Sequence, residues 1–97
     1  MSITVITDVM VKPEEVDGLI SYFKEILPES LLYEGNQGFE VYRNQEDPNN
    51  LFIISQLETR EQIEKYVAWR TETGVIDKCA STYTGPPSVR FLDHIET

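Results

Sequence analysis

Between Ile3 and Val11 the chain alternates. Ile3, Val5, Val9 and Val11 keep a period of two with Thr7 in the middle, the pattern of a half-buried strand rich in β-branched residues. Pro13 stands next at a favoured first-turn position, with Glu14 and Glu15 at the positive end of a helix dipole, so a helix begins there. Val16, Leu19, Ile20, Phe23, Ile26 and Leu27 then draw one apolar stripe at helical spacing. Pro28 predicts a kink or an end, because its ring collides with the carbonyl four residues back. Leu31 and Leu32 predict a further turn, with Gly35 as its stop.

Two short β-prone runs follow, Gly38 to Arg43 and Leu51 to Glu58, separated by NQEDPNN. The Asp47-Pro48-Asn49-Asn50 cluster carries turn chemistry and predicts a hairpin with a longish loop. Thr59 and Gln62 have the spacing of a capping box and open a helix carrying Ile63, Tyr66 and Val67. A break is expected near Thr73-Gly74. A third helical piece with Val75, Ile76, Cys79, Ala80 and Tyr83 on one face then runs to Gly85-Pro86-Pro87, and Val89, Phe91 and Ile95 alternate in a closing strand. The order is β-α-β-β-α-β: an α+β, ferredoxin-like fold with a four-stranded antiparallel sheet and helices on one face.

That sheet has too much apolar surface for one layer of helices. If the odd-numbered set of the first strand faces the helices, together with Phe39, Val41, Leu51, Ile53, Leu57, Val89, Phe91 and Ile95, the other face still holds Ile6, Met10, Tyr42, Phe52, Ile54 and Leu92. Covering those side chains by a second copy, as a homodimer through the sheet faces, is the expected remedy. The alternative is scattered exposure, softened by Thr4, Asp8, Lys12, Glu40, Gln56, Arg90 and His94 on the same face.

Composition narrows the partners. The 97 residues form one domain, 1–97, and the net charge of −9 repels nucleic acid phosphates and anionic membranes. Cys79 is the only cysteine, so no intrachain disulfide forms. No targeting segment or long apolar run is present, which makes the cytoplasm the expected location. RNA-recognition modules share the strand order, but LFIISQLE lacks their basic-Gly-aromatic signature. No His/Cys grouping supplies a metal site, and there is no dinucleotide, P-loop or nucleophile-elbow motif.

The stretches ITVITDVMVKPEEVDGLISYFKEILPES, GFEVYRNQEDPNNLFIISQLETREQIEKYVAW and PPSVRFLD cover nearly the whole chain. Taken together, "V.VKP", "G…VYRN.EDPN" and "ET.EQIE.Y" resemble the antibiotic biosynthesis monooxygenase family of dimeric α+β barrels. The resemblance implies a pocket between the helices and the concave face of the sheet, and monooxygenase chemistry that is cofactor-free or haem-using. The haem-degrading branch has an Asn in the first strand and a ligating His in the second helical region. Here the first strand offers Ile6, Thr7 and Asp8, and Lys78 and Cys79 lie near the His position, so haem degradation is not expected. The branch acting on aromatic quinols is similar in using a Trp one turn after an Asn. Trp69 fills the Trp role, Lys65 replaces the Asn, and Tyr66 stands where many members carry a His.

The resemblance therefore implies a cofactor-independent oxidation of a planar phenolic or quinol-like molecule by O₂. Trp69 would stack on the ligand, Arg70 would stabilise its anion, and Tyr66 or Tyr83 would orient it, with Thr7 and Tyr83 as the substrate-binding candidates. A binding domain without chemistry, or an isomerase or lyase on the same barrel, are the alternatives. The residues themselves also admit plainer roles. Trp69 and Arg70 end the second helix, where a core indole and a guanidinium capping the last carbonyls fit as well as a ligand platform. Tyr66 has core spacing with Ile63 and Val67, Cys79 reads as a small buried hydrophobe, and His94 as a surface or interface histidine. Asp8 is expected to pair with Arg90.

Overall fold

The structure is a computed structural model and describes residues 2–97. Strand β1 (Ile3–Met10) leads through a single 3-10 turn at Pro13–Glu15 into α1 (Val16–Leu32). The hairpin β2 (Asn36–Asn44) and β3 (Asp47–Leu57) follows, then α2 (Arg60–Glu72), α3 (Val75–Ala80) and β4 (Ser88–Asp93). The four strands lie in the order β2-β3-β1-β4, every neighbouring pair antiparallel. This is the expected ferredoxin-like α+β fold. None of the helices among the described residues is long and apolar enough to cross a membrane.

Register explains which side chains the helices cover. Val5 lies opposite Ser55 and Phe91, Thr7 opposite Ile53 and Val89, and Val9 opposite Leu51, so these positions share the face beneath the helices. Val9, Val11, Leu51 and Val16 pack there with Leu19, Phe23 and Ile26 of α1 and with Val75 and Cys79 of α3. Val5, Leu57 and Ile63 form a second cluster under the start of α2. Burying one such side chain stabilises the fold by about 1.5–3 kcal/mol. On the opposite face Ile6 pairs with Ile54, Tyr42 with Phe52, and Thr4 with Leu92, and no helix among the described residues covers them.

Several local expectations are corrected. The hairpin connection is the two-residue turn Gln45-Glu46, and the predicted loop residues belong to β3. Pro48 is tolerated because the β2–β3 register slips between Arg43 and Asn44, leaving it outside the regular ladder where a donor would be required. Val11 lies beyond β1 and bridges to Tyr83 instead. Helix α1 runs on through Pro28 to Leu32, and Gly35, with φ +83°, follows one short turn later. The capping box is half formed: Thr59 Oγ1 accepts from the Gln62 backbone N–H at 3.1 Å, while Gln62 Oε1 is buried without a partner. Ile95 lies in the exposed tail after β4. Asp8 does not meet Arg90, which sits opposite Ile6; it accepts from Asn50 Nδ2 at 2.7 Å, and Asn50 also donates to the Val9 carbonyl.

Candidate functional site

A cavity of about 310 Å³ lies between the helices and the sheet. Its floor is Val5, Thr7 and Ile53, with Val89 and Phe91 of β4; α1 contributes Phe23 and Ile26. From α2 come Ile63, Tyr66, Val67 and Arg70, spaced i, i+3, i+4 and i+7, which is one face of a helix. The remaining wall is α3 with Tyr83 and Pro87, and Phe39 of β2. Val67, Ile76, Val89 and Phe91 are half-exposed, so the cavity opens between α2–α3 and β4. At that mouth the Arg60 guanidinium lies 3.9 Å from the centre of the Phe91 ring. A larger depression, about 630 Å³, runs along α1 and β2, but it is a surface groove broadly open to solvent.

Among the described residues Arg70 is the one charged group lining the cavity, and it is only 2% exposed. Its Nη2 donates to the Ile26 carbonyl at 3.2 Å and to Ser30 Oγ at 2.7 Å, and its Nε donates to Tyr66 Oη at 3.3 Å. Nη1 lies 3.6 Å from the exposed carboxylate of Glu29. The guanidinium thus ties α2 to α1, where the sequence left open a cap on its own helix end. That end is closed by Thr73 instead, whose N–H donates to the Trp69 carbonyl.

Trp69 does not line the cavity. One residue before Arg70 is a turn of about 100° around the helix, and the indole there stacks on Tyr33 at 4.8 Å with 15° between the rings. The Arg70 guanidinium lies 4.2 Å from the indole centre, so the ring backs the cation from behind. Tyr66 packs edge-on to Tyr33 and Trp69, and its hydroxyl lies 2.7 Å from Ser30 Oγ. Ser30 and Glu29 escaped the sequence reading; Ser30, three residues after the apolar stripe of α1 ends, is wholly buried.

Tyr83 and Thr7 both line the cavity, and neither hydroxyl is engaged with another described residue. Burial, followed by the nearby Cys79, pushes the Tyr83 phenol above its usual range, so it is a neutral donor. Burial likewise pushes the Cys79 thiol to about 11, with Arg70 and Lys78 opposing the shift. A protonated thiol is a poor nucleophile and a poor ligand. Among the described residues the lining holds no His, and burial keeps the Cys79 thiol and the Tyr83 phenol protonated, which fits haem iron poorly; His94 lies in the exposed tail. Among the described residues no three His, Cys, Asp or Glu side chains cluster as a metal site.

Residues 2–71 match the family described as antibiotic biosynthesis monooxygenase. Among solved structures, a conserved protein from Methanosarcina mazei Go1 superposes with TM-score 0.87 at 18% identity, covering 95% of this chain and 91% of its own. A structure described as antibiotic biosynthesis monooxygenase gives TM-score 0.86 at 17% identity, covering 97% and 99%. Rv0793 from Mycobacterium tuberculosis gives 0.86 at 13% identity, covering 100% and 98%. At such identities the likeness speaks for the fold alone. No functionally curated protein matches the chain.

Proposed function

Because the chain belongs to the antibiotic biosynthesis monooxygenase family, we propose that its cavity takes a planar phenolic or quinol-like molecule and oxidises it with O₂ without a bound metal, flavin or haem. The observation that carries this reading is a largely apolar cavity with a single buried cation, Arg70, coupled to the Tyr66 phenol. A buried positive charge favours the ionised form of a nearby phenol. No lining carboxylate or imidazole takes the proton, so the substrate is one acidic enough to release it to water. The phenolate then passes one electron to O₂, and the phenoxyl and superoxide radicals join at a ring carbon. Loss of water from that peroxide leaves a quinone: one oxygen atom stays on the ring, and the other departs with the phenolic proton and the ring hydrogen. The largely apolar walls limit the water that reaches the radical pair. Tyr66 holds the substrate oxygen, Tyr83 and Thr7 orient the rest, and Trp69 acts from behind by fixing Arg70.

The helix-free sheet face is where we place a second copy, giving a homodimer. Oxygen uptake over a panel of hydroxyquinols tests the chemistry. We expect one O₂ consumed per quinone formed, with Tyr66→Phe slower by about a hundredfold, the usual loss for one oxyanion donor. Product without oxygen uptake would mark an isomerase or lyase. Binding without product would mark a non-catalytic binding domain, the second reading, which is favoured by the lack of a carboxylate or imidazole in the lining among the described residues.

A further inference from the structure

We propose that Ser30 fixes the direction of the Tyr66 proton and so makes Tyr66 an obligate hydrogen-bond donor to the ligand, which presents an acceptor oxygen at that point. This rests on the reading of the cavity as the ligand site and specifies what that site selects. Ser30 is 0% exposed, so its hydroxyl proton has no solvent to turn to. Two groups lie within hydrogen-bond distance of its Oγ: Arg70 Nη2 at 2.7 Å and Tyr66 Oη at 2.7 Å. A guanidinium only donates. Tyr66 Oη is therefore the sole acceptor for the Ser30 proton among the described residues. Were the phenol to donate to Ser30 instead, a buried O–H would be left without a partner, at a cost of about 1–3 kcal/mol.

With Ser30 donating, Tyr66 Oη accepts twice, from Ser30 Oγ and from Arg70 Nε at 3.3 Å. Both of its lone pairs are filled. Its own proton has no acceptor among the described residues, but Tyr66, unlike the wholly buried Ser30, is only half-buried and lines the cavity, so that proton is the one left for a ligand or solvent to meet. A ligand carbonyl or phenolate oxygen meets that proton favourably. An amine or amide N–H at the same place meets a proton facing it and is rejected, because no lone pair remains to receive it. The three-group cluster thus converts a hydroxyl, which in general both donates and accepts, into a donor alone. Ser30 is a positioning residue in this scheme and Tyr66 the residue that touches the ligand.

The matched probes 1-tetralone and tetralin, which share their ring frame and differ in one carbonyl, test this without any turnover. Calorimetry should show the wild type binding 1-tetralone about tenfold more tightly than tetralin, the worth of one neutral hydrogen bond. Infrared spectroscopy should place the bound carbonyl stretch at lower wavenumber than in apolar solvent. Tyr66→Phe should remove both the preference and the shift. Ser30→Ala, which keeps the phenol but frees its proton, should lower the preference by about threefold and broaden the carbonyl band; Ser30→Thr, which keeps a hydroxyl, should retain both. Tetralin affinity should stay within about twofold throughout. Should Ser30→Ala not fold, Ser30→Cys, with its weak S–H donor, replaces it. An unchanged preference and band in the Ser30 variant would overturn the proposal, as would a preference surviving Tyr66→Phe or a wild type that binds neither probe. Neither probe has a phenol to oxidise, so failure of the oxygen-uptake assay leaves this result standing and the reverse also holds.

Discussion

Ser30 on α1 and Arg70 on α2 are joined by a 2.7 Å hydrogen bond in the dry interior, and through it the two helices that roof the cavity are held at one end. The other polar contacts between them gather at the same place: Ser30 Oγ lies 2.7 Å from Tyr66 Oη, and Arg70 Nη1 lies 3.6 Å from Glu29. Arg70 also reaches the Ile26 carbonyl, so its removal leaves an acceptor and a hydroxyl behind without their donor.

Arg70→Ala should therefore act on stability before it acts on any ligand. Losing charge-assisted hydrogen bonds at a buried site costs about 3 kcal/mol. Urea denaturation should show this as a lower midpoint with an unchanged slope. A loss below about 0.5 kcal/mol would mean that the tie contributes nothing to the fold.

The uncovered sheet face gives the second expectation. Light scattering should find a mass of twice 11.2 kDa. Replacing Ile54, which lies opposite Ile6 in the middle of that face, with Asp should return the chain to monomers while its circular dichroism is retained. A wild-type monomer would show that the face is tolerated in water.

Stability should fall at alkaline pH, and the sign follows from Cys79. Its thiol is raised from 9.0 to about 11 by burial, so the folded state keeps the proton that the unfolded chain releases. The stabilising contribution is complete below pH 9 and is lost as pH rises toward 11; Tyr83, raised from 10.0, adds in the same direction at higher pH. Cys79→Val should flatten the pH 9 to 11 part of the denaturation profile while leaving that at pH 7 to 8 flat, as before. An equal slope in both proteins would put the titrating group elsewhere.

Two glycines in the left-handed region should respond differently to alanine. Gly74, at φ +85°, opens α3 with nothing near the position of a Cβ, so Gly74→Ala should cost about 1 kcal/mol of backbone strain. Gly35, at φ +83°, has the Gln62 side chain packed against that position, and Gly35→Ala should cost clearly more, about 2–3 kcal/mol. Paired thermal melts decide it; equal shifts would mean that Gln62 moves aside freely.

Much of this architecture is legible in periodicity. The alternation from Ile3 to Val9, the stripe from Val16 to Ile26 and the stop at Gly74 are local signals that the tertiary structure follows. The hairpin is legible too, but its loop is two residues rather than long: Asp47-Pro48-Asn49-Asn50 favours a turn in isolation, whereas a slip in the β2–β3 register absorbs the proline and Asn50 is held by Asp8 and Val9. For the site, helical spacing sets Tyr66 one turn before Arg70, and both line the cavity, whereas Trp69, expected to stack on the ligand, lies one residue off that face against Tyr33. Ser30 was invisible because a serine near a helix end carries no sign of what lies 36 residues further on.

The division of labour in the cavity wall has a consequence for how this chain can change. Its strongest polar ties, around Ser30, Tyr66 and Arg70, gather at one corner, while the rest of the lining, apart from Thr7, Cys79 and Tyr83, is aliphatic and aromatic and meets the space by shape. Volume-conserving exchanges at Ile53, Val67, Ile76 or Val89 alter the outline of the space and leave the helix tie untouched. The breadth of molecules admitted and the firmness of the scaffold are therefore set by separate groups of residues, so one can drift while the other is held.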